Sequence, residues 1–503
     1  MQYSNDFTCS WTSAQYERLA ESILDQAWQS TRPMLLAIVV QFFANPISPT
    51  SMYNLEKGLF VEIRRFGRLI IELVLNSLEP ALREDMPHDL MWQGGGYRVL
   101  TAKTPNRFVA TLFGTICVWR RGYRYWHKGM REASVFPLEI GLGLVESVTP
   151  ALGEQIGQQM AAAGSTQSYV IDWLRNQHGV SLGVKRLRAF TDRLSQSMEQ
   201  YQFQSQLKAI VEALQVAHES KGNRKPVLSV GRDGITLCDY KHRFYEVATV
   251  ATIAIFDRSG KRLTTVYMAH TPEAQQLTMS AMLKMLLIKV LSAWQGPLPK
   301  LAYVADSGGN ESSFYKETLK QMLHPVTGKP LHWQRVVDYY HVAERIWTIA
   351  AVLFGQGTQE GVAWAKRILK ALKKPSGASR VLHSAAALRH KRDLSATALK
   401  EYEKACAYIR KRTKFMRYDL YKAAHIPLGS GITEAACKTV FTQRLKLSGM
   451  RWTQEGAKRI LILRTTLLSK HWDDTYKKYL EGLNSNQPTA YQSPNDIPAK
   501  MAA

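Results

Sequence analysis

Cysteine is scarce and poorly placed for cross-linking. Cys9, Cys117, Cys238, Cys406 and Cys437 lie far apart in 503 residues, with no C-x-x-C pair. That argues against a disulfide framework and a cysteine-rich zinc site, and it suits a reducing cytoplasm. Long apolar runs are missing too. The stretch from Pro33 to Ala44 is too short to span a bilayer, and the opening MQYSNDFTCSW lacks the basic-then-apolar order of a secretory signal, so no membrane role is expected. Acidic residues are in deficit: 41 Asp and Glu stand against 66 Lys and Arg, a formal charge of +25 spread over most of the length. Such an excess calls for a polyanionic partner, and nucleic acid fits best because neutralising phosphates releases condensed counterions. A merely basic protein is the plainer alternative.

What is present reads as a globular α/β chain of about three domains. Residues 1–95 carry helical apolar spacing broken at NPISPTS, which predicts small helices. Residues 96–150 open with alternating Val, Thr and aromatic positions, which predict two or three strands with a turn at Thr104-Pro105-Asn106. The RRGYRYWHK stretch there fits either a track along a DNA backbone or one exposed face of a small sheet. Within 151–225, STQSYVIDWLRNQHGVSLGVKRLRAFTDRL has the outline of a helix-turn-helix. Its second helix would carry Lys185, Arg186 and Arg188 into a major groove; an ordinary helical hairpin is the alternative. From 226 to 340 the order is three strands, helix, strand, helix, strand, with a turn at Asp257 to Gly260. This implies a mixed sheet with flanking helices, the order of an RNase H-like core. Residues 341–425 read as a basic helical insertion, 426–480 as the last part of the core, and 481–503 as a flexible tail.

Three carboxylates carry the chemistry. Asp233 is expected at the end of the first core strand, Asp306 at the end of the fourth, and Glu434 opens a helix after the Gly429-Ser430-Gly431 turn. If the two strands are parallel neighbours, both aspartates emerge side by side, and a helix packed there brings the glutamate to them. Moving a phosphodiester needs a deprotonated oxygen nucleophile and relief of charge on the leaving oxygen. Two divalent ions about 4 Å apart supply both. Such ions take hard oxygen donors and keep water and phosphate in their other positions. Each residue alone has a duller explanation as a turn, a cap or a helix-dipole partner; their joint placement is the signal. Asp338 and His341, in VVDYYHVAERIW, are expected to buttress this edge, with Asp338 in reserve for Asp306. Asp239 and Asp257 are assigned to turns or solvent.

These residues resemble the bacterial insertion-sequence transposases of the ISKra type, within the DDE transposases. The match is strongest in IPLGSGITEAACKTVFTQRLKLSGMRW at 426–452. It extends to the Asp-Gly after the first core strand, YVADSGG, DYYH and LILRTTLLSKHWDDTY, covering about residues 226–476. The resemblance implies an RNase H-like catalytic core with a helical insertion, Mg²⁺ or Mn²⁺ as cofactor, and DNA cleavage and strand transfer at element ends. Its catalytic and metal-binding acids would be Asp233, Asp306 and Glu434. Arg444, Lys446, Arg451 and Trp452 would form a DNA-gripping block, with packing as the alternative for Trp452. A homodimer or larger assembly on DNA, in a bacterial cytoplasm, is implied as well. Relatives often carry a cysteine-rich zinc element, but the matching RRGYRYWHKGMREASVFPLEIGLGL has no cysteine, and no zinc is expected. Asp306 is followed by Ser-Gly-Gly-Asn where the group more usually has Gly-Ala. A silent DNA-binding relative and a nuclease on the same core are the competing functions.

Overall fold

The computed structural model describes residues 12–79, 86–101, 104–126, 133–238 and 245–490. Cys9, Asp239 and residues 491–503 lie outside these, as does the end of the RRGYRYWHK stretch. The chain forms two compact units: Met1–Met160 with Ser165–Met198 and Tyr476–Ala503, and Ala161–Gly164 with Glu199–Thr475.

In the first unit the break at NPISPTS falls where expected, but the helices beside it are long. α1 (Ser13–Ala44) and α2 (Pro49–Leu78) run 32 and 30 residues. Ser48 accepts from the Ser51 amide at 3.1 Å and Pro49 supplies a fixed φ at the first helical position, so α2 starts sharply. Strands β1 (Asp89–Trp92), β2 (Gly95–Val99), β3 (Arg107–Thr111), β4 (Gly114–Val118) and β5 (Tyr123–Tyr125) follow. β3 and β4 form a ribbon, and β1, β2 and β5 belong to a four-stranded sheet. Its fourth member is β11 (Thr489–Ala490), which pairs antiparallel with β1. Residues 481–490 are therefore no flexible tail: they end a helix and close a sheet. Helices α3 (Pro137–Gly141), α4 (Pro150–Ala161), α5 (Gln167–Trp173) and α6 (Val184–Glu219) complete the series. Helical winding after α5 stops at Gly179, whose φ of 62° suits glycine.

The second unit is built on a five-stranded sheet ordered β10-β9-β6-β7-β8. β6 (Val227–Cys238), β7 (Tyr245–Phe256) and β8 (Arg262–His270) form an antiparallel meander. β9 (Lys300–Ala305) then lies parallel to β6, and β10 (Gln334–Val337) parallel to β9. Alternate residues serve opposite faces. Leu228, Val230, Leu301 and Tyr303 enter one core with α7 (Leu277–Ala293) and the second half of α6. α7 is long and apolar enough to cross a membrane, but Leu283, Leu286, Leu287 and Val290 are buried in this core. Between β9 and β10 lies the short α8 (Gly309–Phe314).

Val227, Ala302, Val304 and Val336 enter the other core with α9 (Tyr339–Phe354), α10 (Gln359–Leu372), α11 (Gly377–Arg389), α12 (Ala396–Arg412) and α13 (Tyr418–Ala423). The expected insertion at 341–425 is thus part of the sheet's own core. Tyr418 and Tyr421 donate to the Val337 and Arg335 carbonyls at 2.8 and 3.0 Å, covering the edge strand β10. The remaining helices are α14 (Gly431–Ala436), α15 (Gln443–Leu445), α16 (Gln454–Leu468) and α17 (Trp472–Asn484).

One glycine fixes the approach of α14 to the sheet. A Cβ on Gly231 in β6 would overlap the Thr433 hydroxyl, which shares a 2.8 Å hydrogen bond with Thr252 of β7. Gly231→Ala is therefore expected to cost about 1–3 kcal/mol of stability by overpacking. Gly309→Ala, where the added carbon meets open space, should be close to neutral. Urea titration of both variants checks this; equal midpoints would contradict the close packing.

Candidate active site

Register brings three aspartates into one row. Val230 of β6 pairs with Tyr303 of β9, the last pair of that ladder, and Asp233 and Asp306 each follow it by three residues, close enough for their charges to interact. Ala305 pairs with Val337, so Asp338 stands level with Asp306. Neighbouring strands lie about 4.8 Å apart, and by alternation all three side chains belong to the face covered by α9 and α14. Asp306 directly follows its strand, at the strand end where it was expected, and Asp338 directly follows β10. Asp233 does not end its strand: β6 continues to Cys238, and only its parallel neighbour stops at this level.

The three carboxylates differ in what occupies them. Asp338 is fully buried and accepts from the amides of Tyr340, His341 and Ser430 and from the Ser430 hydroxyl at 2.6 Å. It caps α9 and clasps the Gly429–Gly431 turn, so it positions rather than presents a free carboxylate. Asp306 accepts from the Gly308 amide at 2.9 Å. Asp233 accepts from the Gly234 amide at 2.8 Å and the Cys437 thiol at 3.3 Å. Burial pushes the Asp233 pKa up; these two hydrogen bonds oppose the rise, and the charges of Asp306 and Glu434 add to it. The Cys437 thiol is itself pushed up by burial and by Asp233.

Glu434 sits in the first turn of α14, with its side chain 48% exposed. Ser430 Oγ lies 2.6 Å from its Oε1 as well as from Asp338. A hydroxyl carries one proton, so it can donate to only one of them at a time. His341 Nε2 stands 3.7 Å from the same Glu434 oxygen, while its Nδ1 faces Glu344 at 3.4 Å. Burial would lower the His341 pKa, but Glu344, Asp338 and Glu434 outweigh it and raise it. The D-x-x-H pair thus frames Glu434 from two sides.

Sequence reasoning missed three neighbours. Cys437 follows Glu434 by three residues, which places both on one side of a helix, and that spacing was a readable signal. Glu311 is buried with its pKa raised by burial and by the Asp306 charge, and its Oε2 lies where a Cβ on Gly308 would stand. Arg232 is buried on the opposite face, donating to Ser280 at 3.0 Å and Gln276 at 2.9 Å over the Phe314 ring. Neither Glu311 nor Arg232 announced itself in sequence.

The expected DNA-binding residues divide by exposure. Lys446 and Arg451 are exposed. Arg444 requires correction: it is 1% exposed and packs over the Trp452 ring, so it has no surface to offer a ligand. Trp452 is partly buried and donates to the Leu445 carbonyl at 3.0 Å. In the first unit Lys185 is exposed and Arg188 grips Gln167. Arg186 is spent on the carbonyls of Glu146 and Ser147, whose positive φ angles leave them facing it.

Asp233, Asp306 and Glu434 offer oxygen donors of the kind a hard divalent ion takes. Among the described residues no three His, Cys, Asp or Glu side chains stand close enough to hold an ion unaided. Glu434 leans on Ser430 and His341, whereas Mg²⁺ needs only one or two carboxylates besides water and phosphate. The Asp233 pKa is raised first by burial and then, less, by the charges of Asp306 and Glu434, and a bound cation would offset both. Compared with protein-family models and with curated proteins, the chain matches none.

A folded pKa raised above the unfolded value means that ionisation opposes folding. The associated stability is present below the unfolded value and lost as pH rises through the folded one. Asn mimics the protonated carboxyl. Asp233→Asn, without divalent ions, is therefore expected to melt at or above the wild-type temperature at pH 7, with the gap closing towards pH 4. A clearly lower melting temperature at pH 7 would contradict a cost of ionising the buried Asp233.

Proposed function

We propose that this chain is a DNA transposase of the DDE type, cleaving at the ends of an insertion sequence and joining them to target DNA. The observation that carries the reading is the matching offset of Asp233 and Asp306, each three residues beyond the last pair of the parallel β6–β9 ladder, with Glu434 introduced by the helix that Gly231 admits. The sheet order, with three antiparallel strands followed by two parallel ones on the far side of the first, supports an RNase H-like core. The excess of basic residues supports a DNA partner.

In this reading Asp233, Asp306 and Glu434 are the acids that would hold Mg²⁺ or Mn²⁺ together with water and phosphate oxygens, and the ion would activate the attacking oxygen and offset charge on the leaving one. The chain's own residues do the positioning. Asp338 fixes the Gly429–Gly431 turn, Ser430 and His341 set the Glu434 carboxylate, and Cys437 steadies Asp233. His341 holds its proton above the usual histidine range, so its grip on Glu434 is present below about pH 6.5 and fades as pH rises through the elevated value. Lys446 and Arg451, exposed after α15, are placed to meet phosphates.

The test is Mg²⁺-dependent cleavage and joining of oligonucleotides carrying the repeats that flank the gene. Wild type should give joined product. Glu434→Gln should lose at least 100-fold in rate with little change in DNA affinity, in line with removing a transition-state contact worth several kcal/mol. Hydrolysis without joining would identify a nuclease on the same core; binding without metal-dependent chemistry would identify a silent DNA-binding relative.

A further inference from the structure

The helical hairpin α1–α2 is poorly covered in its own unit. α1 turns one stripe towards α2, through Ile23, Ala27, Thr31, Leu35, Ile38 and Phe42. Trp28 meets Phe66 edge-on at 6.2 Å, and Gly58 lets Ile38 approach closely. Outside that stripe the surface is again apolar. Leu36, Val39, Val40 and Phe43 follow at helical spacing and are exposed, Phe43 by 79%. Met52, Tyr53, Phe60, Val61 and Ile63 of α2 are exposed as well. Phe60 and Ile63 border a pocket with Phe113 and Trp173, whereas Leu36, Val39, Val40 and Phe43 form one apolar stripe on α1, more exposed apolar surface than a soluble monomer usually keeps.

Charge says what covers it. Between residues 13 and 78, Glu17, Glu21, Asp25, Glu56, Glu62 and Glu72 balance Arg18, Arg32, Lys57, Arg64, Arg65 and Arg68, while the whole chain carries +25. No charged residue lies between Arg32 and Glu56. The hairpin is therefore the wrong surface for a polyanion, and one on which two copies of a strongly basic chain can meet without repulsion. A bilayer fits less well. The turn at the tip carries the polar Asn45 and Ser48 beside the exposed Ile47, and exposed apolar residues continue back along both helices as far as Leu24 and Ile63. Half-exposed apolar and aromatic side chains of this number offer on the order of 1,000 Å² per chain, what a stable homodimer needs from each partner.

We propose that α1–α2 is a dimerisation arm whose occupant is the same hairpin of a second copy, the two forming an antiparallel four-helix bundle about a two-fold axis. The inference does not depend on the catalytic reading and is tested without DNA or metal. Sedimentation of the full-length chain should show a dimer at micromolar concentration. Val40→Glu with Phe43→Glu should weaken self-association at least tenfold while far-ultraviolet circular dichroism keeps the helical signal. Leu420→Glu, an exposed apolar residue of the second unit, should leave the dimer intact. If the double variant unfolds, hydrogen exchange of wild type decides: protection over residues 33–61 should rise with protein concentration. A monomeric wild type, an undisturbed dimer in the double variant, or protection independent of concentration would overturn the proposal. So would a monomeric wild type that co-sediments with phosphatidylcholine vesicles, which would point to a lipid surface instead.

Discussion

The candidate site depends on one buried carboxylate. Asp338 has no solvent exposure, and an isolated charge in that position would cost several kcal/mol. It persists because the backbone amides of Tyr340, His341 and Ser430 and the Ser430 hydroxyl all donate to it. Those donors come from two segments far apart in sequence. Satisfying one anion therefore fixes the first turn of α9 and the turn before α14 together. His341 rides on the first and Glu434 on the second, so their 3.7 Å approach follows from the clasp. Gly231 supplies the complementary constraint from the sheet side, leaving room for Thr433.

Around this rigid clasp the site is electrostatically uncomfortable. Asp233 is held above the usual aspartate range by burial and by its acidic neighbours, and Glu311 likewise by burial and the Asp306 charge. Among the described residues no arginine pairs with Asp233: Arg232, next to it in sequence, points to the other face and bonds Ser280 and Gln276. A fold optimised for stability alone would neutralise these acids. Leaving them crowded is the pattern expected where stability yields to the binding of a cation or a reacting group.

Much of this was legible in sequence because strands and helices write different periods. The strand-helix order after residue 226, the turn at Asp257 to Gly260 and the break at NPISPTS could all be read from apolar spacing and turn chemistry. Asp306 could be placed because its strand is short and apolar and ends in Ser-Gly-Gly. Other features were hidden for physical reasons. Nothing local tells that β6 runs on past Asp233, since a strand ends where its partner does. The burial of Arg444 and Arg186 is a tertiary fact that charge counting misreads as surface. The packing of 341–425 onto the sheet, and the return of Thr489–Ala490 to β1, depend on contacts between residues far apart in sequence.

The proposed chemistry requires that Asp233 and Asp306 together hold a divalent cation. Crystals of the full-length protein soaked in Mn²⁺ and measured at a wavelength where manganese scatters anomalously test it directly. An anomalous peak bridged by the carboxylates of Asp233 and Asp306, and absent in Asp233→Asn, is the expected result. A peak elsewhere, or none at a concentration where Mn²⁺ raises the melting temperature, would contradict it.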